Sequence, residues 1–258
     1  MADPEPARVR AELSAVRGTK LSQALARIIA RDIAERGLAT GVKLPTEQLM
    51  AVEFGVGRTT VREALRLLEA QGLVEIRPGL RGGPVVGQPT GEDLGRTMTL
   101  FLQTKGALVG DVLDAQVGLE GQIAASAAAN IGSVDAERVE ELMRASIAPS
   151  RGLSDQDWLR AGLSFHAVVT SLVSNPVLVL MADAVGAVLA DRIRSDEHVS
   201  WTWEERRRVA DEHVLLAEAI RDGDADAARV LAERHQRRSN ESVRRFYPGL
   251  AGELIDWH

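Results

Sequence analysis

From about Gly91 onward, every long stretch of this chain repeats its apolar residues with helical period, and none alternates apolar and polar residues as a half-buried strand does. The larger part of the molecule is thereby confined to packed helices. The spacing predicts helices near 92–103, 110–130, 134–147, 154–174, 176–195, 203–222 and 224–246, separated by breakers that include Gly106, Gly132, Gly152, the Asn175-Pro176 pair and Gly223. No fixed-period repeat is visible, so an array of repeated units is not expected. Aromatic residues make up only 3% of the 258 positions, which leaves Ala, Val, Leu and Ile to build a core of closely packed helices.

Ahead of that region the pattern is shorter and more punctuated. Leu21, Leu25, Ile28, Ile29 and Ile33 recur at spacings of three and four within Lys20 to Arg36, an amphipathic helix ended by Gly37. Pro45 and Thr46 open a short helix running to about Glu53. Phe54-Gly55-Val56-Gly57 then makes a tight turn into a longer helix, Arg58 to Gln71, closed by Gly72. Two short helices around a glycine-containing turn form a helix-turn-helix. Leu73 to Arg77 alternates as a strand, Val85-Val86 returns beside it, and Pro78 to Pro84 is the hairpin tip. The expected fold is mainly α, an N-terminal winged helix-turn-helix followed by an all-helical bundle of six or seven helices. Its expected boundaries are a disordered tail 1–18, a DNA-binding domain 19–87, a linker 88–91, a helical domain 92–248 and a C-terminal tail 249–258.

Charge follows the same division. Residues 1–90 carry 13 Lys+Arg and 10 Asp+Glu, a balance of +3, whereas residues 91–258 carry 18 and 27, a balance of −9. The overall −6 argues against a uniformly basic nucleic-acid binder, but the basic share lies in the half with the helix-turn-helix. With no cysteine, a disulfide framework, a zinc ribbon and a thiol nucleophile are all excluded, and any metal must be held by imidazole and oxygen. No run approaches the ~18 apolar residues of a membrane span, and Met1 to Arg10 lacks the apolar core of a secretory signal. A cytoplasmic protein with no membrane partner is the expectation.

On the helix from Arg58, the residues Val61, Leu65 and Leu68 form one stripe, while Arg58, Arg62 and Arg66 repeat every fourth position on another. A recognition helix needs such a division, one face packing on its domain while the other meets bases and phosphates in a major groove. Thr59 and Thr60 occupy the first turn, where hydroxyls and free N–H groups approach phosphate oxygens. A solvated basic face moderated by Glu63 and Glu69 is the alternative. The glycine-rich hairpin adds weight to DNA, because a wing bearing Arg81 can enter a minor groove.

Leu44-Pro45-Thr46-Glu47, the run Phe54 to Leu65 and Leu68-Glu69-Ala70-Gln71-Gly72-Leu73-Val74 closely resemble the winged helix-turn-helix of the GntR family of bacterial repressors, over about residues 20–87. The resemblance implies DNA contacts from Arg58, Thr59, Thr60, Arg62 and the wing-tip Gly79. Arg66, Arg81 and Gln48 complete the candidate interface. Gly57 stands where the family commonly has Ser or Thr, and Gln48 where many members have a basic residue.

Three of the five histidines fall in helical apolar stripes: His166 with Leu159, Leu163 and Val173; His213 with Val209, Leu216 and Ile220; His235 with Ala228 and Leu231. A single such histidine is usually a core residue with its bonds satisfied. Three on separate helices are explained more economically as one convergent site, and neutral imidazoles are common ligands of zinc and related divalent metals. The region 92–246 also resembles the FCD effector domain of the FadR-type branch, through Phe165-His166, Ser174-Asn175-Pro176, Glu212-His213, Ala219 to Asp224 and His235. The resemblance implies a metal held by His166, His213 and His235 with an aspartate one turn before the first, a position that here is Gly162. It also implies an arginine anchoring an effector carboxylate near Leu119-Glu120, where this chain has Gln116. Loss of the aspartate weakens metal binding unless water, effector or Glu120 completes the shell. Loss of the arginine shifts the expected effector towards a larger, mainly apolar molecule such as a lipid or an acyl thioester.

The expected function is therefore a DNA-binding transcriptional regulator and not an enzyme: a homodimer on double-stranded operator DNA whose affinity a small-molecule effector sets. The rival is a metal-dependent hydrolase using the three histidines. Against it, the chain has no H-E-x-x-H and no inward-facing carboxylate stands out beside the histidines. Gly162 to His166 lacks the final glycine of a nucleophile elbow, and Gly79 to Gly87 lacks the Lys-Ser/Thr ending of a phosphate-binding loop. A pure scaffold is the third class.

Overall fold

A computed structural model describes residues 13, 19–79, 82–147, 152–190 and 201–256. Contacts within the chain group the residues up to Asp93 in one unit and those from Leu94 in a second.

In the first unit, α1 (Thr19–Glu35), α2 (Glu47–Phe54) and α3 (Arg58–Glu69) precede the hairpin of β1 (Val74–Arg77) and β2 (Gly83–Val86). The amphipathic α1 buries Leu25, Ile28, Ile29 and Ile33 against Met50 of α2 and Val61, Ala64, Leu65 and Leu68 of α3. Thr46 caps α2 by accepting from the Leu49 N–H at 3.3 Å, and Gly55 ends it in the left-handed region at φ 68°, a conformation that costs a side-chain-bearing residue about 1 kcal/mol. The strands pair antiparallel with Val74 opposite Val86 and Arg77 opposite Gly83, and Lys43 bridges to Val85 on the other side. The wing tip at Arg81, like most of the expected N-terminal tail, lies outside the described residues.

The second unit contains α4 (Gly91–Lys105, begun in the first unit's last residues), α5 (Val109–Asn130), α6 (Ala136–Ser146), α7 (Asp155–Ser171), α8 (Pro176–Ala190), α9 (Trp203–Arg221) and α10 (Ala225–Phe246). The long, alanine-rich α5 is its axis, packed on α7, α8, α9 and most extensively on α10. Small side chains permit the approach: a Cβ at Gly121 would lie 2.7 Å from the Glu233 side chain. One core gathers Ile123, Ala124, Ala127, Leu142, Phe165, Leu172, Leu216 and Ile220; a second gathers Val109, Leu113, Val185, Val188, Leu250 and Ile255. No helix among the described residues is long and apolar enough to cross a membrane.

The C-terminal segment differs from the tail expected from residue 249. Residues 250–252 form a 3-10 turn, Leu254 bridges to Leu108, and Ile255 is fully buried with its N–H donating to the Ala107 carbonyl at 2.9 Å. Ile255 lies in a short polar run that carries no periodicity, so only its docking against the start of α5 reveals it as core, while Leu254 beside it stays exposed.

Candidate functional site

Two sets of residues carry the chemistry, one in each unit. On α3, Val61, Ala64, Leu65 and Leu68 are buried, and Arg58, Thr59, Arg62 and Arg66 stand exposed, with Thr60 half-buried. The preceding Gly57 offers no side-chain cap, so the first N–H groups of α3 have no side-chain acceptor at that position. The exposed arginines are not equally free. Arg62 engages Glu47 of α2 with two donors, at 2.9 and 3.3 Å, and Arg66 pairs with Glu63 at 3.2 Å. The hydrogen bond from Arg62 holds the Glu47 carboxyl below its ordinary range. The helical period could align the arginines but could not show that Glu47, on a neighbouring helix, constrains one of them. Gln48 and Gly79 are exposed, the latter at φ 102°, and Arg81 falls outside the described residues.

In the bundle, α7, α9 and α10 bring His166, His213 and His235 together. The Nε2 of His235 lies 3.3 Å from the Nε2 of His213 and 3.3 Å from that of His166, and ligand atoms of all three lie within 4.8 Å of one another. Phe165 stacks on His213 at 4.2 Å between centroids. Burial holds each imidazole well below its ordinary pKa: His166 at about 3, His213 at about 2 and His235 at about 4. The three are therefore neutral at pH 7, as metal coordination requires.

The nitrogen spacing suits a cation. Ligands at ~2.0–2.1 Å around a tetrahedral zinc lie roughly 3.3–3.4 Å apart, close to the observed separations. Coordination through all three Nε2 atoms moves each ring proton to Nδ1, where the partners differ. His235 Nδ1 faces Glu212 Oε2 at 3.0 Å and His166 Nδ1 faces Glu120 Oε2 at 3.8 Å. His213 Nδ1 is buried with no hydrogen-bond partner among the described residues. The donor set fits a divalent metal, with one buried N–H left unsatisfied at a cost of about 1–3 kcal/mol.

Several expectations change at this point. Glu120, expected as a substitute ligand, stands behind His166 at Nδ1 rather than among the converging Nε2 atoms, and burial raises its pKa. Gln116, expected to face the effector, accepts from the Gln236 amide at 3.1 Å; Gln236 continues to Asn240, which donates to the Leu113 carbonyl. Neither residue lines the cavity beside the histidines. The stripe of Leu159, Leu163 and His166 is not core: Leu163 is 69% exposed, and all three residues line that cavity. Glu212, whose side chain is 7% exposed, overturns the expectation that no carboxylate faces inward. It pairs with His235 and, through its other oxygen, with Arg238. Both of its oxygens are thereby engaged, and the hydrolase reading gains no support.

The cavity has a volume of about 440 Å³. The three histidines and Gly162 lie along it with Trp158, Leu159, Leu163 and Trp201 as an apolar wall and Arg208, Arg238 and Arg245 among its charged residues. Trp158 and Trp201 contact each other at 4.9 Å, and Arg206 secures that corner by pairing with Asp155 at 2.6 Å and lying over Trp158. Arg245 pairs with Glu205. The Trp201 indole N–H is buried without a partner among the described residues. A Cβ at Gly162 would be 3.8 Å from His213 Cε1 with nothing else within 4 Å among the described residues, so the position expected to carry an aspartate is open there. Tryptophans and arginines in amphipathic helices are individually unremarkable in sequence, and no signal there marks them as neighbours.

Comparison with known proteins matches residues 21–82 to the bacterial regulatory proteins of the gntR family and residues 111–238 to the FCD domain. The chain is 28% identical over 232 residues to the HTH-type transcriptional repressor NanR of Enterobacter sp. (strain 638), covering 84% of this chain and 82% of that one. It is 26% identical over 203 residues to the HTH-type transcriptional regulator LutR of Bacillus subtilis (77% and 90% covered). It is 28% identical over 221 residues to the Uxu operon regulator of Haemophilus influenzae (82% and 77%). Among solved structures, Streptococcus agalactiae GntR shares the fold at a TM-score of 0.57 and 20% identity, over 85% of this chain and 99% of that one.

Proposed function

This chain belongs to the GntR family of bacterial regulators, joining the family's helix-turn-helix to an FCD domain, and on that premise we propose that it is a cytoplasmic repressor that binds operator DNA as a homodimer under the control of a small-molecule effector. The observation that carries the DNA half is α3 itself. Its buried stripe leaves Arg58, Thr59, Arg62 and Arg66 facing outward beside a helix N-terminus with no side-chain cap. Phosphate oxygens accept from such N–H groups, and guanidinium groups reach base edges in the major groove. Glu47 pre-orients Arg62, restricting the rotamers that binding would otherwise have to freeze. A two-fold protein selects a two-fold site, so two winged helices would read the halves of a short palindrome.

The effector half rests on the cavity. Its tryptophans and leucines suit an acyl or aryl body, and its arginines suit an oxygen-bearing head. One divalent cation, if bound, would be held by the Nε2 atoms of His166, His213 and His235 and would supply a positive centre for that head. Effector control requires different affinities for the DNA-binding and non-binding arrangements of the dimer.

The test is a gel shift with the intergenic DNA upstream of the gene across a salt series. Binding should weaken steeply with salt, because phosphate contacts release counterions. No shift at any salt below ~100 mM would reject the regulator reading at its base.

A further inference from the structure

The histidine cluster has a second layer, and it is asymmetric. Glu212, on α9 beside His213, directs Oε2 to His235 Nδ1 at 3.0 Å and Oε1 to the Arg238 guanidinium. His235 and Arg238 are three residues apart on α10, on one face of the helix. Glu212 and the His235 side chain are each 7% exposed, while Arg238 keeps 46% of its side-chain surface exposed and lines the cavity. One carboxylate therefore touches a buried imidazole with one oxygen and the cavity wall with the other.

We propose that Glu212 is the positioning residue of this site: it holds His235 as the Nδ1–H tautomer, with its Nε2 lone pair facing the other two histidines, and its hold on Arg238 couples that imidazole to whatever oxyanion enters the cavity. The tautomer follows from donor and acceptor roles. A carboxylate oxygen only accepts, so the hydrogen bond at 3.0 Å requires the proton on Nδ1, and a neutral imidazole has no second proton for Nε2. Without Glu212, His235 Nδ1 has no acceptor among the described residues to select that tautomer. An Nε2 proton would then point towards the Nε2 atoms of His166 and His213, each 3.3 Å from that of His235. The coupling follows from sharing. An oxyanion binding Arg238 competes with Glu212 for the same guanidinium, and the freed oxygen redistributes hydrogen bonding at His235. Only this second part rests on the effector reading proposed above.

The experiment uses the metal-free full chain, its histidine rings labelled with ¹⁵N, at pH 8. Long-range ¹H–¹⁵N spectra distinguish a protonated from an unprotonated ring nitrogen. Wild type should show His235 protonated at Nδ1, and Glu212→Ala should show a mixture or reversal. Benzoate, as the oxyanion probe, should shift the His235 ring signals in wild type and at least fivefold less in Arg238→Met, whose side chain is replaced at a half-exposed position. His235 protonated at Nε2 in wild type would overturn the proposal without any variant, so a Glu212→Ala protein that failed to fold would not shelter it. An unchanged tautomer in folded Glu212→Ala would overturn it as well. Equal benzoate shifts in wild type and Arg238→Met would overturn the coupling. Absence of any benzoate effect anywhere, with the tautomer as stated, would count against the effector reading and the coupling while leaving the positioning role intact.

Discussion

Replacing Gly162 with Asp restores a carboxylate one turn before His166. Position 162 lies inside α7 with its Cβ direction open, meeting only His213 Cε1 at 3.8 Å among the described residues, so the new side chain enters the cavity without displacing their backbone. The helix itself changes little, since Gly costs about 1 kcal/mol relative to Ala and Asp nearly as much, leaving a gain of a few tenths of a kcal/mol. The metal term is larger. A carboxylate added to three neutral imidazoles neutralises half the charge of a divalent ion at contact distance, and after desolvation a gain of about 1.4–2.7 kcal/mol, tenfold to a hundredfold in affinity, is expected. Competition of the protein against a chromophoric chelator for zinc measures it, with Gly162→Ala as the control for helix propensity. A hundredfold gain adds about 2.7 kcal/mol to the stability of the metal-saturated fold, which for a bundle of this size raises Tm by roughly 5–10 °C. If folded Gly162→Asp bound zinc no more tightly than wild type and Gly162→Ala, the Nε2 atoms would not be facing a metal position and the site would be a packed cluster of imidazoles.

The two arginine positions of α3 should respond differently to truncation. Arg58→Ala removes a side chain with no hydrogen bond among the described residues and should weaken operator binding by about 1–3 kcal/mol with the melting temperature unchanged; equal binding would remove Arg58 from the interface. Arg62→Ala also leaves Glu47 unpaired beside the DNA face, so Glu47→Ala combined with Arg62→Ala should recover part of the loss, and a strictly additive double mutant would refute that coupling. Acid should destabilise the bundle through its histidines. Their folded pKa values lie below the unfolded ~6.5, so the stability from burying them neutral is complete above that value and is lost as pH falls through it towards the folded values of about 4 to 2. Urea unfolding of the metal-free protein should show about 1.4 kcal/mol lost per histidine between pH 8 and 5.5, and an unchanged unfolding free energy would contradict the burial. Ile255→Ala should cost about 2–5 kcal/mol because it empties a fully buried position, whereas a loss under 0.5 kcal/mol would mean that the C-terminal segment is undocked in solution.

Much of this organisation is written in local pattern. Leu25, Ile28, Ile29 and Ile33 had only one way to be buried together, and the glycines at 55 and 72, both at positive φ, end their helices where the punctuation predicts. The inward direction of His213 and His235 was legible for the same reason, since both lie on apolar stripes that pack in the interior, whereas His166 meets them although Leu163 on its own stripe is exposed. The members of the site that escaped notice are those whose role depends on a partner from a distant segment. Glu212 reads as one more charge on a charged helix until α10 brings His235 to 3.0 Å, and Gln116 reads as an effector contact until Gln236 claims it. Leu163 illustrates the converse error: its spacing is that of a core residue, yet the cavity leaves it 69% exposed.

Residue order alone determined the two-part architecture, the arginine face of α3 and the inward direction of His213 and His235, since all of these follow from periodicities of 2 and 3.6 and from where glycine and proline interrupt them. Only the packing of α7, α9 and α10 decided that the three Nε2 atoms meet, that two carboxylates stand behind them rather than among them, and that the position left open by Gly162 faces a cavity. Those are distances between segments far apart in the chain, and helical period carries no information about which helix will be the neighbour.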